Sequence, residues 1–243
     1  MRRGWLVCLV VAVATAASPA AAAPIEPGEV SNLVGHLQHR LAEEGFYRGP
    51  FDGEYGPMTG QAVMAFHKHL GLERTFTWQG DDWRYLDDLV PPVHRGAPGL
   101  EIDLDRQLLY YHREEGDVAI IPISSGNGER FVNGSGRLVT ARTPEGEFRL
   151  RSHVPGRRVS YLGVLWKPWY FYGGYAIHGS SSVPGYPASH GCVRIPNWEA
   201  DWLSVELSLG FPLEIGRSGG VQPPPPPEAT QPIDRELLWT MIE

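Results

Sequence analysis

The segment L-E-I-D-L-D-R-Q-L-L-Y-Y, residues 100–111, changes the period of the chain. Leu100, Ile102 and Leu104 alternate with Glu101 and Asp103, the two-residue repeat of a half-buried strand. Asp105-Arg106 turns the chain back into a second strand over 108–111, and Glu115-Gly116-Asp117 makes the next reversal. Residues 118–123, 147–151, 175–177 and 211–215 read as further short strands. One short helix follows Asn197, with Trp198, Trp202 and Leu203 on its apolar side and Glu199 and Asp201 on a solvated face. Many short strands with Gly-rich turns predict an antiparallel β-sandwich or barrel. The counts of 29 Gly and 22 Pro in 243 residues suit that architecture better than a helical bundle.

Upstream of this region the period is helical. Leu33, Leu37 and Leu41 recur at four-residue spacing after Ser31, an N-cap residue, and the run stops at Gly45. A turn-rich loop over 46–58 delivers Thr59 as the cap of a second helix, with Val63, Phe66 and Leu70 on one face and Gly71 closing it. A third helix is expected over 82–90, ended by Pro91-Pro92. These residues predict a small helical module over 28–92, a second domain over 97–216, and a tail over 217–243. The tail opens with a stiff spacer containing five prolines (223–227), and an amphipathic helix with Leu237, Leu238 and Met241 is expected over 232–243.

Residues 1–23 have the order of an export signal: Arg2 and Arg3, an apolar run from Trp5 to Ala17, then small residues. Cleavage after Ala22 is favoured, because cutting after Ala23 would place Pro24 beside the scissile bond. The apolar run is shorter than the ~20 residues of a membrane span, so no span is expected once the signal is removed. Losing Arg2 and Arg3 leaves 19 basic against 28 acidic side chains, a net charge of −9. That balance excludes general nucleic-acid binding, which rests on clustered excess Lys and Arg. Only Cys8 and Cys192 are present, so neither a disulfide scaffold nor a four-cysteine zinc site can form, and Cys192 alone survives cleavage.

The neighbours of Cys192 give that thiol a use. Residues 175–195 read Y-A-I-H-G-S-S-S-V-P-G-Y-P-A-S-H-G-C-V-R-I, placing His178 at a strand end and a loop leading into Ser189-His190-Gly191-Cys192-Val193-Arg194. Nucleophilic catalysis by Cys needs a thiolate, an imidazole to move the proton, and donors for an oxyanion. Two histidines and an arginine would depress the Cys192 pKa. Gly191 would let backbone approach substrate and free N–H groups for an oxyanion. The same His and Cys side chains are also zinc ligands, but no fourth ligand or H-E-x-x-H spacing accompanies them, so no metal is expected.

His178-Gly179, Ser189 to Arg194, the T-P-x-G-x-F segment at 143–148 and the small residues Ser124-Ser125-Gly126 together resemble the YkuD-type L,D-transpeptidase catalytic domain. Gly45-Phe46-Tyr47, Asp52-Gly53, Gly56-Pro57-x-Thr59, Ala62-Val63 and Phe66 resemble the three-helix peptidoglycan-binding module, with His67 where that family usually carries Gln. The resemblance implies a small all-α module followed by a mainly antiparallel β-sandwich, with Cys192 in a covered cleft. It also implies attack by Cys192 on the L-to-D bond before the terminal D-Ala of a peptidoglycan stem, forming a thioester. Transfer to an amine of a neighbouring stem then makes a 3-3 cross-link. His178 matches the proton-transferring base, oriented by a backbone carbonyl at or near Gly179. His190 and Arg194 match pocket residues that polarise the thiol and hold a substrate carboxylate, and Ser189 positions the loop. Tyr161 and Tyr175 are candidates to border the cleft.

The resemblance further implies carbapenem-type β-lactams as inhibitors, no cofactor, and a place outside the cytoplasmic membrane, in the periplasm or cell wall. Hydrolysis by an L,D-carboxypeptidase or endopeptidase of the same fold, and a non-catalytic wall-binding protein, stay open as alternatives.

Overall fold

The computed structural model describes residues 23–90, 92 and 94–219. Residues 1–22 of the expected signal, and the proline spacer and C-terminal helix expected after Gly219, lie outside the described residues. Among the described residues no helix is long and apolar enough to cross a membrane.

Three helices come first. α1 (Asn32–Glu43) begins where Ser31 Oγ accepts the Val34 N–H at 3.3 Å. It turns Val34, Leu37 and Leu41 inward. α2 (Pro57–Leu70) begins earlier than expected: Gly56, and not Thr59, is its N-cap. Pro57 suits the first turn because the N–H it lacks would have had no partner there. Thr59 instead turns inward, 3.1 Å from Nε2 of the fully buried Gln38, which also holds Asp52 Oδ1 (2.8 Å) and so ties α1 to the loop before α2. Gly71 closes α2 in the left-handed region, φ 71°. α3 (Asp82–Asp87) stops short of the expected Val90, because a residue before proline is pushed out of the helical region. His67, at the position where Gln was expected, is buried and bonded to Asp82 across 2.8 Å, joining α2 to α3.

The remaining described residues fold into two five-stranded sheets and one small hairpin. The first sheet runs β3 (Val118–Pro122), β2 (Leu108–His112), β1 (Gly99–Asp103), β12 (Pro212–Gly216), β6 (Gly146–Arg149). The second runs β11 (Val193–Pro196), β10 (Tyr175–Ser180), β9 (Gly163–Tyr172), β7 (Ser152–His153), with β8 (Arg157–Ser160) also on β9. The hairpin pairs β4 (Arg130–Val132) with β5 (Leu138–Thr140). Only β1–β12 and β10–β11 are parallel; the other pairs are antiparallel, as a mainly antiparallel sandwich requires. α4 (Asn197–Glu206) packs Ala200 and Leu203 into the core between the sheets.

Strand β2 is buried along its whole length. Leu109 and Tyr111 face the inter-sheet core, whereas Leu108 and Tyr110, with Ile120 of β3, join Leu37, Phe46, Phe66 and Trp78 in a second core. The helical module therefore covers the outer face of the first sheet, and L-L-Y-Y is an unbroken apolar run because both of its faces are buried. Gly45 marks the closest approach: its carbonyl accepts the Ile120 N–H at 2.9 Å, and a Cβ there would lie 2.2 Å from the Val118 oxygen.

Glu199 does not lie on a solvated face. It is 5% exposed and takes a two-pronged bond from Arg48 of the module at 2.8 and 3.0 Å. A buried carboxylate needs such a partner to offset its lost hydration. Asp201, one step round the helix, stays exposed and accepts from Trp166 Nε1 at 2.7 Å.

His69 crosses the same seam, its Nδ1 3.0 Å from the Tyr110 hydroxyl. Burial, with a smaller push from Arg106, lowers its pKa to about 4. A group whose folded pKa is depressed stabilises the fold above its unfolded value, here 6.5, and loses that contribution as the pH falls through the window down to about 4. Between about pH 7 and about pH 4, urea unfolding should therefore show wild type losing about 3 kcal/mol more than His69→Gln. Equal losses would contradict this origin of acid sensitivity.

Candidate active site

Strands β10 and β11 run parallel with Ile177 beside Val193 and His178 beside Arg194. Paired residues share a face and successive residues alternate. Ile177, Val193 and Ile195 thus enter the inter-sheet core. His178 and Arg194, with Cys192 one alternation before Arg194, face the opposite way. They emerge into a cavity of about 790 Å³ that Ser189 and His190 also line. His178 lies inside β10 and not at its end, since the pairing with β11 continues through Ser180.

Gly179 and Gly191 stand behind this cavity. The Gly179 carbonyl accepts a hydrogen bond from His178 Nδ1 at 2.9 Å, which directs the free lone pair to Nε2. A Cβ on Gly179 would meet Asn197, Ala200 and Trp166 within 2.9 Å, so the turn of α4 closes directly on this backbone. Gly191 has φ +127°, and a Cβ there would lie 2.6 Å from the Tyr175 ring. The sequence leads one to expect its N–H to be free for an oxyanion; it donates instead to Ser189 Oγ at 3.0 Å. Ser189 Oγ in turn donates to the Cys192 carbonyl at 2.5 Å, and Thr143 Oγ1 donates to the Gly191 carbonyl at 2.9 Å. The buried Ser189 and Thr143 thus fix the turn that presents the thiol.

The thiol is not depressed in pKa. Burial pushes Cys192 up, against a backbone hydrogen bond at Ala176 and the charge of Arg194, both of which lower it. His190 is exposed and meets the Phe131 ring edge-on at 4.7 Å. Burial first, then Arg194, lowers the His178 pKa, while its bond to Gly179 raises it. Both shifts favour the neutral forms, a thiol and an imidazole.

Two hairpins that the sequence reading missed roof the cavity. Phe131, Asn133 and Val139 come from β4–β5, and Arg158, Ser160 and Val164 from β8–β9. Their turns meet, with Gly134 so close to the Tyr161 ring that a Cβ would sit at 3.0 Å. Tyr161 and Tyr175 both line the cavity. Three-residue strands with exposed side chains carry no two-residue hydrophobic alternation, and the turn N-G-S-G at 133–136 was the only local signal. The lining includes Arg158 and Arg194 and no Asp or Glu. Among the described residues no three or more His, Cys, Asp or Glu side chains group to hold a metal ion.

Comparison with known proteins follows the same division. The L,D-transpeptidase catalytic domain family, YkuD, matches residues 98–215, and a peptidoglycan binding domain family matches residues 30–75. The L,D-transpeptidase of Xylanimonas cellulosilytica DSM 15894 is 41% identical, with TM-score 0.74, over 82% of this chain and 100% of that one. The L,D-transpeptidase of Stackebrandtia nassauensis aligns at 19% identity and TM-score 0.44, over 84% of this chain and 100% of that one, too distant to bear on the argument. A comparison with curated proteins finds no match.

Gly191→Ala combines a disfavoured φ with contact against the Tyr175 ring and the Arg142 carbonyl. It should cost about 3 kcal/mol in urea unfolding, whereas Gly173→Ala, which meets open space, should cost less. Equal effects would show that the close approach at Gly191 is not what requires glycine.

Proposed function

This chain belongs to the L,D-transpeptidase family, and on that premise we propose that Cys192 is its nucleophile and His178 its general base in acyl transfer between peptidoglycan stems. The observation carrying this reading is that Cys192, His178 and Arg194 project from one face of the β10–β11 pair into a single cavity, with His178 Nδ1 engaged by Gly179. Residues 28–92 form the wall-binding module and 97–216 the catalytic domain of the proposed enzyme. Residues 1–23 export it to the periplasm or cell wall.

The chemistry follows from the neutral pair. As sulfur attacks the carbonyl before the terminal D-Ala, the thiol proton passes to His178 Nε2, so no free thiolate is needed beforehand. The oxyanion is held by backbone donors of the Cys192 turn, and we assign the Cys192 N–H to that task. Collapse of the adduct breaks the C–N bond, and the imidazolium gives its proton to the departing D-Ala amine. An amine of a second stem then attacks the thioester, yields its proton to His178, and releases the 3-3 cross-link, after which the thiol is restored. Arg194 and Arg158 suit the carboxylates of a peptide stem, and Ser189 and His190 complete the wall beside the sulfur.

Disaccharide-tetrapeptide incubated with the purified protein should give, by mass spectrometry, a dimer lighter than two substrates by one D-Ala. Cys192→Ala should give none. Tripeptide as the sole product would recast the enzyme as a carboxypeptidase using the same thioester. No change with wild type would overturn the catalytic reading in favour of wall binding alone.

The acid limb of the rate should also be displaced. Because burial lowers the His178 pKa, the base stays neutral to a lower pH than a free imidazole. Acylation of Cys192 by a carbapenem should therefore fall only as the pH drops through a midpoint below 6.5. A midpoint above that value would count against His178 as the buried base.

A further inference from the structure

The loop over 181–191, which leads into Cys192, is gripped from two sides. On the catalytic side, the Ser125 carbonyl accepts the N–H groups of Ala188 and Ser189 at 3.0 and 2.9 Å. Ser124 and Arg194 exchange two backbone bonds of 3.0 Å, and Ser124 Oγ donates to the Tyr186 carbonyl at 2.8 Å.

The other side is held by the N-terminal module. Gln61 Nε2 donates to the Val183 carbonyl at 3.0 Å. Arg74 Nη1 donates to the Gly185 carbonyl at 2.8 Å, while its Nη2 holds the Asp105 carbonyl at 2.8 Å. Met64 Sδ and Arg74 Cβ press on Gly185 so closely that a Cβ there would lie 3.2 Å from each. Lys68, 1% exposed, donates from Nζ to the carbonyl of Ile123 at 2.8 Å, the residue before Ser124. Gln61, Met64 and Lys68 recur at the three- and four-residue steps that put side chains on one helix face. One face of α2 is thus directed at the loop and at the segment that braces it.

We propose that this face of α2, with Arg74, is a positioning element of the transfer site, so that the N-terminal module sets the geometry of Cys192 as well as reaching the wall. The proposal rests on the reading of Cys192 as the nucleophile. A loop containing Ser181-Ser182, Gly185 and Gly191 has many accessible conformations, and ordering it is costly. Bonds to Val183 from α2 and to Gly185 from Arg74 hold that order before substrate arrives. Gln61 and Arg74 act through the loop backbone, and neither lines the cavity.

The test uses the full-length protein and a soluble carbapenem, so that contact with the wall plays no part. Second-order rates of Cys192 acylation, followed by intact mass, are compared for wild type, Gln61→Ala/Arg74→Ala, Arg74→Ala and Arg74→Lys, with melting curves to establish folding. Arg74 is exposed, so the single variant reports even where the double variant is unstable. The expected result is acylation about tenfold slower in the double variant, an unmoved acid limb in its pH profile, and partial recovery in Arg74→Lys relative to Arg74→Ala. Wild-type rates in the folded double variant, or in Arg74→Ala where only the single variant folds, would overturn the proposal. So would slowing in Arg74→Ala that Arg74→Lys does not lessen. A wild-type protein that takes no adduct on Cys192 would instead defeat the proposed chemistry, and this inference with it.

Discussion

The parallel register of β10 and β11 is the constraint on which the site depends. With Ile177 beside Val193, alternation sends these side chains into the core and sends His178, Cys192 and Arg194 into the cavity. A slip of one residue would exchange the two sets, burying a base and a thiol among aliphatic groups. Several buried polar contacts hold the register: Ser124 bridging Arg194, Ser189 between Gly191 and Cys192, and Thr143 on the Gly191 carbonyl.

The same economy extends outward to the helical module. A sheet with apolar residues on both faces needs two covers, and α1, α2 and the aromatic residues behind them provide the second. Closing that seam required Lys68 and Glu199 to leave water. Each is tolerated because it found a specific partner, a carbonyl for the Lys68 amine, whose pKa burial pushes well down, and the Arg48 fork for the carboxylate. The Arg48–Glu199 pair joins the module to α4, which itself closes on Gly179, the carbonyl that orients His178.

Burial also decides the protonation states. Counting positive residues near Cys192 along the chain suggests a thiolate, but His190 is exposed at the cavity wall against Phe131, and burial lowers the His178 pKa. The charge of Arg194 lowers the Cys192 pKa, and the loss of hydration outweighs it. In the proposed acyl transfer, the consequence is a pair in which the proton moves during attack and not before it.

What the sequence determined by itself was everything carried by local pattern. The helical and two-residue periods, the cap at Ser31, the left-handed close at Gly71 and the motif around Cys192 are each set within a few residues of chain. Tertiary structure decided the rest. Thr59 lost its cap role to Gly56, with Pro57 opening the helix, and became a partner of Gln38, whose amide also holds Asp52 fourteen residues further along the chain. Glu199 became buried because Arg48, far away in the chain, reached it. The roofing hairpins escaped notice because their exposed strands hold their place by meeting each other at Gly134 and Tyr161, and they bury no periodic face. Loop geometry, burial and the pKa values that follow from it are long-range properties, since desolvation is imposed by whatever packs around a group and not by its neighbours in the chain.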